Sequence, residues 1–164
     1  MRTKVQTTIR RFQELLQGEG GIAQSLQELE TEGGIRAAEL SPIEVAALHI
    51  QAELSERAMS VRRPIFHIYC DRIENSGFER FRRFAGLLRI VTEIRLTQDR
   101  IHGLTELLHR YVDAVCDVVE RTSGCAPEGL VLDGKYEVVL DPIKKGGLAY
   151  SQTAKVICPV LVTR

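Results

Sequence analysis

The sequence has no surplus of charge of either sign: 22 Lys and Arg balance 22 Asp and Glu, for a formal net charge of +0. A dedicated nucleic-acid binder carries a basic excess to displace counterions from phosphates, so this balance argues against one. No apolar run approaches the roughly 20 residues of a membrane-spanning helix. The stretch from Met1 to Thr8 enters an amphipathic pattern without the apolar core and small-residue cleavage site of a secretory signal. That predicts a protein made and folded in a cytosol. Cysteine is sparse and scattered. Cys70, Cys116, Cys125 and Cys158 include no Cys-x-x-Cys and make no metal spacing with His49, His67, His102 and His109. They read as reduced, structural thiols.

Catalytic signatures are missing as well. There is no Gly-x-Gly-x-x-Gly after a strand, no Gly-x-x-x-x-Gly-Lys-Ser/Thr and no Gly-x-Ser-x-Gly elbow. The clusters Gly18-Glu19-Gly20-Gly21 and Lys144-Lys145-Gly146-Gly147 do not join a strand to a helix N-terminus and read as flexible loops rather than phosphate cradles. His102, Glu106 and His109 share a helix face, but it lies opposite the apolar stripe, so ordinary solvent-facing ion pairs are expected there. His67, inside an apolar strand, reads as a core histidine bonded to a neighbour. Asp71 and Glu74 read as cap or turn residues. The expectation is a protein that is not an enzyme and that uses no cofactor and no metal.

What is present fits an ordinary globular chain. The 164 residues, 44% apolar and 27% charged, suit one domain or a domain with a helical extension. Before residue 60 the period is helical. Val5, Ile9, Phe12, Leu15 and Leu16 form a stripe over about 3–17, ended by Gly18, Gly20 and Gly21. Ile22, Leu26 and Leu29 mark a shorter helix ended by Gly33-Gly34. Ser41-Pro42 reads as the start of a third, carrying Ile43, Ala46, Ala47, Ile50 and Leu54. These helices have too few large apolar residues for a core of their own and are expected to pack on something else.

Beyond residue 60 the period becomes 2. Ile65–Cys70 reads as a strand, followed by turn chemistry at Glu74-Asn75-Ser76-Gly77. Leu88–Leu96 is a cleaner strand, with Leu88, Ile90, Ile94 and Leu96 on one face and Arg89, Val91, Glu93 and Arg95 on the other. The clearest helix spans about 99–122, with Asp99 as cap, Gly124 as stop and a stripe running from Leu104 to Val119. Asp133-Gly134 between Leu130–Leu132 and Tyr136–Leu140 predicts a hairpin. A loop at 141–147 and a long strand from Ala149 to Val162 complete the pattern. The expected fold is α+β: a mainly antiparallel sheet with one long covering helix, plus an N-terminal helical segment at 1–60 attached to a core at 61–164.

Two surface features stand out. Phe78, Arg80, Arg82 and Arg83, interleaved with Phe81 and Phe84, form a loop of the arginine–aromatic kind that suits protein interfaces and nucleic acid alike, the other reading being ordinary packing with Phe81 and Phe84 in the core. Lys144 and Lys145 sit in the 141–147 loop and read first as a solvated loop tip, or else as a contact to an acidic partner or to DNA.

The run from Pro64 to Asn75, the strand Arg89–Leu96 with Thr97-Gln98-Asp99-Arg100, and the helix carrying Tyr111–Val115 resemble the tail terminator (tail completion) proteins of long-tailed bacteriophages. So do Tyr136-Glu137-Val138 and the run from Gly146 to Val156. The resemblance covers about 61–164 and lies in element order and short patterns. It implies a structural virion protein of the tail and neck, assembled in the host cytoplasm. Such a protein forms a homohexameric ring on the last ring of tail tube protein, ends tube polymerisation and provides a docking surface for the head connector. DNA would only pass through the lumen, and no membrane is involved. Candidate contacts are then Phe78, Arg80, Arg82, Arg83, Lys144 and Lys145. The alternatives are a head-closure or neck adaptor, a structural component of a contractile injection system, or a small-molecule-binding regulatory module.

Overall fold

A computed structural model of the chain describes residues 2–33, 44–47, 64–75, 85–124 and 131–162. In chain order the elements are α1 (Arg2–Gln17), α2 (Ile22–Gly33), β1 (Glu44–Ala47), β2 (Ile65–Asn75), β3 (Gly86–Gln98), α3 (Leu104–Arg121), β4 (Val131–Leu132), β5 (Glu137–Leu140), β6 (Lys144–Gly146) and β7 (Ala149–Val162). The α+β class expected from the sequence is what forms. β3 lies at the centre, antiparallel to β2 on one side and to the whole of β7 on the other. Along the far side of β7 run β4, β5 and β6, end to end, each antiparallel to it. They make one edge strand in three pieces.

Alternation along β3 explains the layering. Leu88, Ile90, Ile94 and Leu96 point to one face and are 2% exposed or less. They meet Leu104, Leu108, Tyr111, Val115, Val118 and Val119 of α3, together with Ala154, Val156, Cys158 and Val160 of β7. Phe66 and Tyr111 pack edge to face at 5.9 Å between ring centroids. Each such fully buried side chain contributes roughly 1.5–3 kcal/mol. Ile9, Phe12 and Leu16 of α1 and Ile22 and Leu26 of α2 belong to the same buried cluster. The described part of 1–60 therefore packs on the 61–164 sheet through one core.

Arg121, at the end of α3, ties this attachment down. Its guanidinium donates to the Gly20 carbonyl at 3.1 Å and pairs with Asp117 at 3.0 Å and Glu28 at 3.7 Å. The fully buried Ser25 hydroxyl also donates to Asp117. Between α1 and α2 the glycines make a tight corner, which corrects the flexible-loop reading. A Cβ on Gly21 would lie 2.3 Å from the Leu16 carbonyl oxygen, so only glycine fits.

Other expectations are corrected too. Glu44–Ala47, read as helix, is a strand parallel to β2. A short apolar run does not declare its period, and pairing with the free edge of β2 decides it. β2 runs on through Glu74 and Asn75, with a bulge between Cys70 and Arg72. Helix α3 starts at Leu104, behind Gly103 in the left-handed region (φ 78°), with no side-chain cap, so Asp99 is not its N-cap. Asp133-Gly134 does not reverse the chain. β4 and β5 both pair with β7 and not with each other, so the turn is a step within one edge. Within 141–147, Lys144–Gly146 is a strand rather than loop. The proposed start at Ser41-Pro42 and the turn residues Ser76-Gly77 lie outside the described residues.

Candidate assembly surfaces

The edge is where the structure departs furthest from a closed, polar surface. Val131, Tyr136, Val138, Val139, Leu140 and Leu161 are each between 36% and 45% exposed. β5 pairs on one side only among the described residues, leaving the other row of backbone groups open. Its two faces are both half in solvent; Glu137 charges one end of it and Asp141-Pro142 follow the other, leaving Val138, Val139 and Leu140 as an exposed apolar middle.

Pro159 helps to explain why this edge is broken. β4 pairs with Val160 and Leu161, and β5 starts opposite Ile157, so nothing on the edge pairs with Cys158 or Pro159. A proline has no N–H for a ladder. Opposite it the chain bulges through Asp133–Tyr136. Asp133 Oδ1 accepts from the Lys135 backbone N–H at 3.0 Å, a bond that also holds its carboxyl below the ordinary value. Gly134 supplies a positive φ of 76°. The bulge leaves a groove of about 270 Å³ on the sheet face away from the helices. Leu87, Ile157 and Pro159 line it, with Arg72, Glu74, Arg89 and Glu137 around them. Arg72 is paired with Glu74 at 2.7 Å, Arg89 with Asp71 at 3.0 Å, and Lys135 with Asp133 at 3.3 Å. Glu137 has no ion pair among the described residues. Asp71 and Glu74 are thus strand-borne ion-pair partners, not caps.

At the other end of β7 lies a hairpin. Lys144, Lys145 and Gly146 pair with Ser151, Tyr150 and Ala149, leaving Gly147-Leu148 as a two-residue turn. Gly147 has φ 62°, and Leu148 is 93% exposed. Of the sequence-named interface residues, Lys144 and Lys145 are both exposed here. Lys145 Nζ lies 5.7 Å from the centre of the Tyr150 ring. Phe78, Arg80, Arg82 and Arg83 lie outside the described residues, as does Cys125.

A polar cluster that the sequence did not announce sits on the sheet face away from the helices. Glu93 is 6% exposed, accepts from the Tyr69 hydroxyl at 3.2 Å, and faces Arg95 at 3.7 Å and Lys155 at 3.9 Å. Burial, helped by the Glu93 carboxylate, pushes Tyr69 up to about 12. His67 is paired in register with Glu93, so it too lies away from the helices. Its Nε2 is buried with no hydrogen-bond partner among the described residues. Burial lowers its pKa, Glu93 raises it and Arg95 lowers it. His102, Glu106 and His109 are exposed, as read. Cys116 and Cys158 are buried free thiols raised to about 11 and about 12, burial being the main cause.

No protein-family model and no curated protein matches this chain. No helix among the described residues is long and apolar enough to cross a membrane.

Proposed function

We propose that the chain is a structural assembly subunit, a ring-forming tail terminator that stops a phage tail tube and offers its far side to the head connector. The observation that carries this reading is the exposed apolar edge: Val138, Val139 and Leu140 on β5, continued by Leu148 on the hairpin. Monomers rarely leave such an edge open, because it recruits other strands. Subunits of a ring cover it with a neighbour. A tube grows through head-to-tail contacts that do not close along its axis, and a terminator copies one end of that contact and spoils the other. The resemblance to tail terminators, which rests on element order and short patterns over about 61–164, supports the same reading.

Purified protein offered growing tail tubes is expected to arrest them at fixed length as closed multimers seen by negative stain. Tubes that elongate unchanged, with the protein left unbound, overturn the reading. Reversing charge at Arg82 and Arg83 is expected to leave a folded protein that fails to cap tails, and tails of normal length in that variant remove those residues from the contact. A second reading, a small-molecule-binding module, is favoured by the groove over Leu87, Ile157 and Pro159, whose volume is close to the lower end for ligand sites. A ligand-induced rise in melting temperature together with a monomeric mass would select it.

A further inference from the structure

Leu148 breaks the chemistry of its own position. Two-residue hairpin turns favour Gly, Asn, Asp and Ser, which tolerate the backbone and face water at little cost. Here a leucine stands at the tip, 93% exposed, between the glycine that makes the turn and a strand of alternating residues. Local rules broken without a local benefit are characteristic of functional positions. Lys144 and Lys145 sit just before the tip, and Lys144 has no ion pair among the described residues.

The groove at the far end of β7 has the complementary character. Leu87, Ile157 and Pro159 offer apolar surface, and Glu137 on its rim is a carboxylate without an ion pair among the described residues. The cations of the groove are already held, Arg72 by Glu74, Arg89 by Asp71 and Lys135 by Asp133. The hairpin tip is at 148 and the groove centres near 158 on the same strand, about 30 Å apart at the rise of a β-strand. Both are fixed on one sheet, so a chain does not fill its own groove.

We propose that Leu148 inserts into this groove of a second copy of the chain, with Lys144 meeting Glu137. The contact is heterologous, since each copy offers a tip on one side and a groove on the other. Repetition therefore closes a ring if the rotation allows it. The contact deepens the terminator reading and rests on it for the closed form, while the pairing itself needs only two copies.

The test compares the wild-type chain with Leu148→Asp, Lys144→Glu/Lys145→Glu and Glu137→Lys, by sedimentation up to millimolar subunit concentration and again on tail tubes. Leu148→Asp is expected to weaken association on the order of tenfold or more, as for a buried anchor, with an unchanged melting temperature. Each charge-reversed variant is expected to associate poorly alone, and the two mixed are expected to recover wild-type association. Undiminished assembly of Leu148→Asp, no recovery on mixing, or a wild-type chain monomeric in both settings overturns the contact. If the wild type associates through Leu148 but tubes keep growing, the contact stands and the terminator reading falls.

Discussion

Two buried groups show how much a single side chain decides. Thr92 lies on the helix-facing side of β3, fully buried, and its hydroxyl has no hydrogen-bond partner among the described residues. Thr92→Val replaces that hydroxyl with a methyl of similar shape, so a gain of about 1 kcal/mol is expected in chemical denaturation. His67 gives a pH dependence of known sign. Its pKa is lowered below 6.5 by burial, so its contribution is present above 6.5 and lost as pH falls through the folded value. Wild-type stability is expected to drop between neutral and acidic pH by more than that of His67→Phe. Cys158 acts at the other end. Its folded value of about 12 against an ordinary 9.0 means that stability is intact below 9, declines as pH rises past it, and is fully lost by about 12. A melting temperature that falls less steeply above pH 9 in Cys158→Ala would identify the thiol. The alternation of β3 put Glu93 on the face opposite Leu88 and Ile90 in the sequence itself. Its burial was not legible there, because the partners Tyr69 and Lys155 come from two other strands.

At the scale of elements, α1 and the β6–β7 hairpin carry the clearest predictions. Phe12 is fully buried in the shared core, so Phe12→Ala is expected to lower stability by about 3–5 kcal/mol, with urea unfolding still a single transition. Two separated transitions would mean that the N-terminal helices fold apart from the sheet. Gly147→Ala meets no atom within 4 Å, so its whole cost is the left-handed backbone, about 1–2 kcal/mol, read as a lower midpoint in denaturant. The long periodic elements, α1, α3 and β7, were legible from the apolar spacing alone, since five turns of helix or fourteen residues of strand outvote local noise. The short ones were not. Glu44–Ala47 became strand because β2 had an edge to fill, and the Asp133-Gly134 signal produced a bulge because Pro159 interrupts the ladder across from it. The candidate site was legible only in Lys144 and Lys145; Leu148 fell between the predicted loop at 141–147 and the strand from Ala149 and drew no reading of its own.

For the whole molecule, one core joins helices and sheet, and Arg121 holds α2 to α3 from outside that core. Its pairs are about a third exposed, so Arg121→Ala is expected to cost only about 1 kcal/mol, read by denaturation, while α1 and α2 stay docked by Phe12, Leu16 and Ile22. β7 has a further consequence. It is the one strand that every piece of the edge and the centre of the sheet share, and it spans fourteen residues, about 45 Å from end to end. If the leucine tip of one copy seats in the groove of the next, as proposed, this length acts as a ruler that sets the spacing from neighbour to neighbour, and so the bore of an annulus built that way. Shortening that ruler by a residue pair would alter the calibre of the opening rather than the strength of the grip.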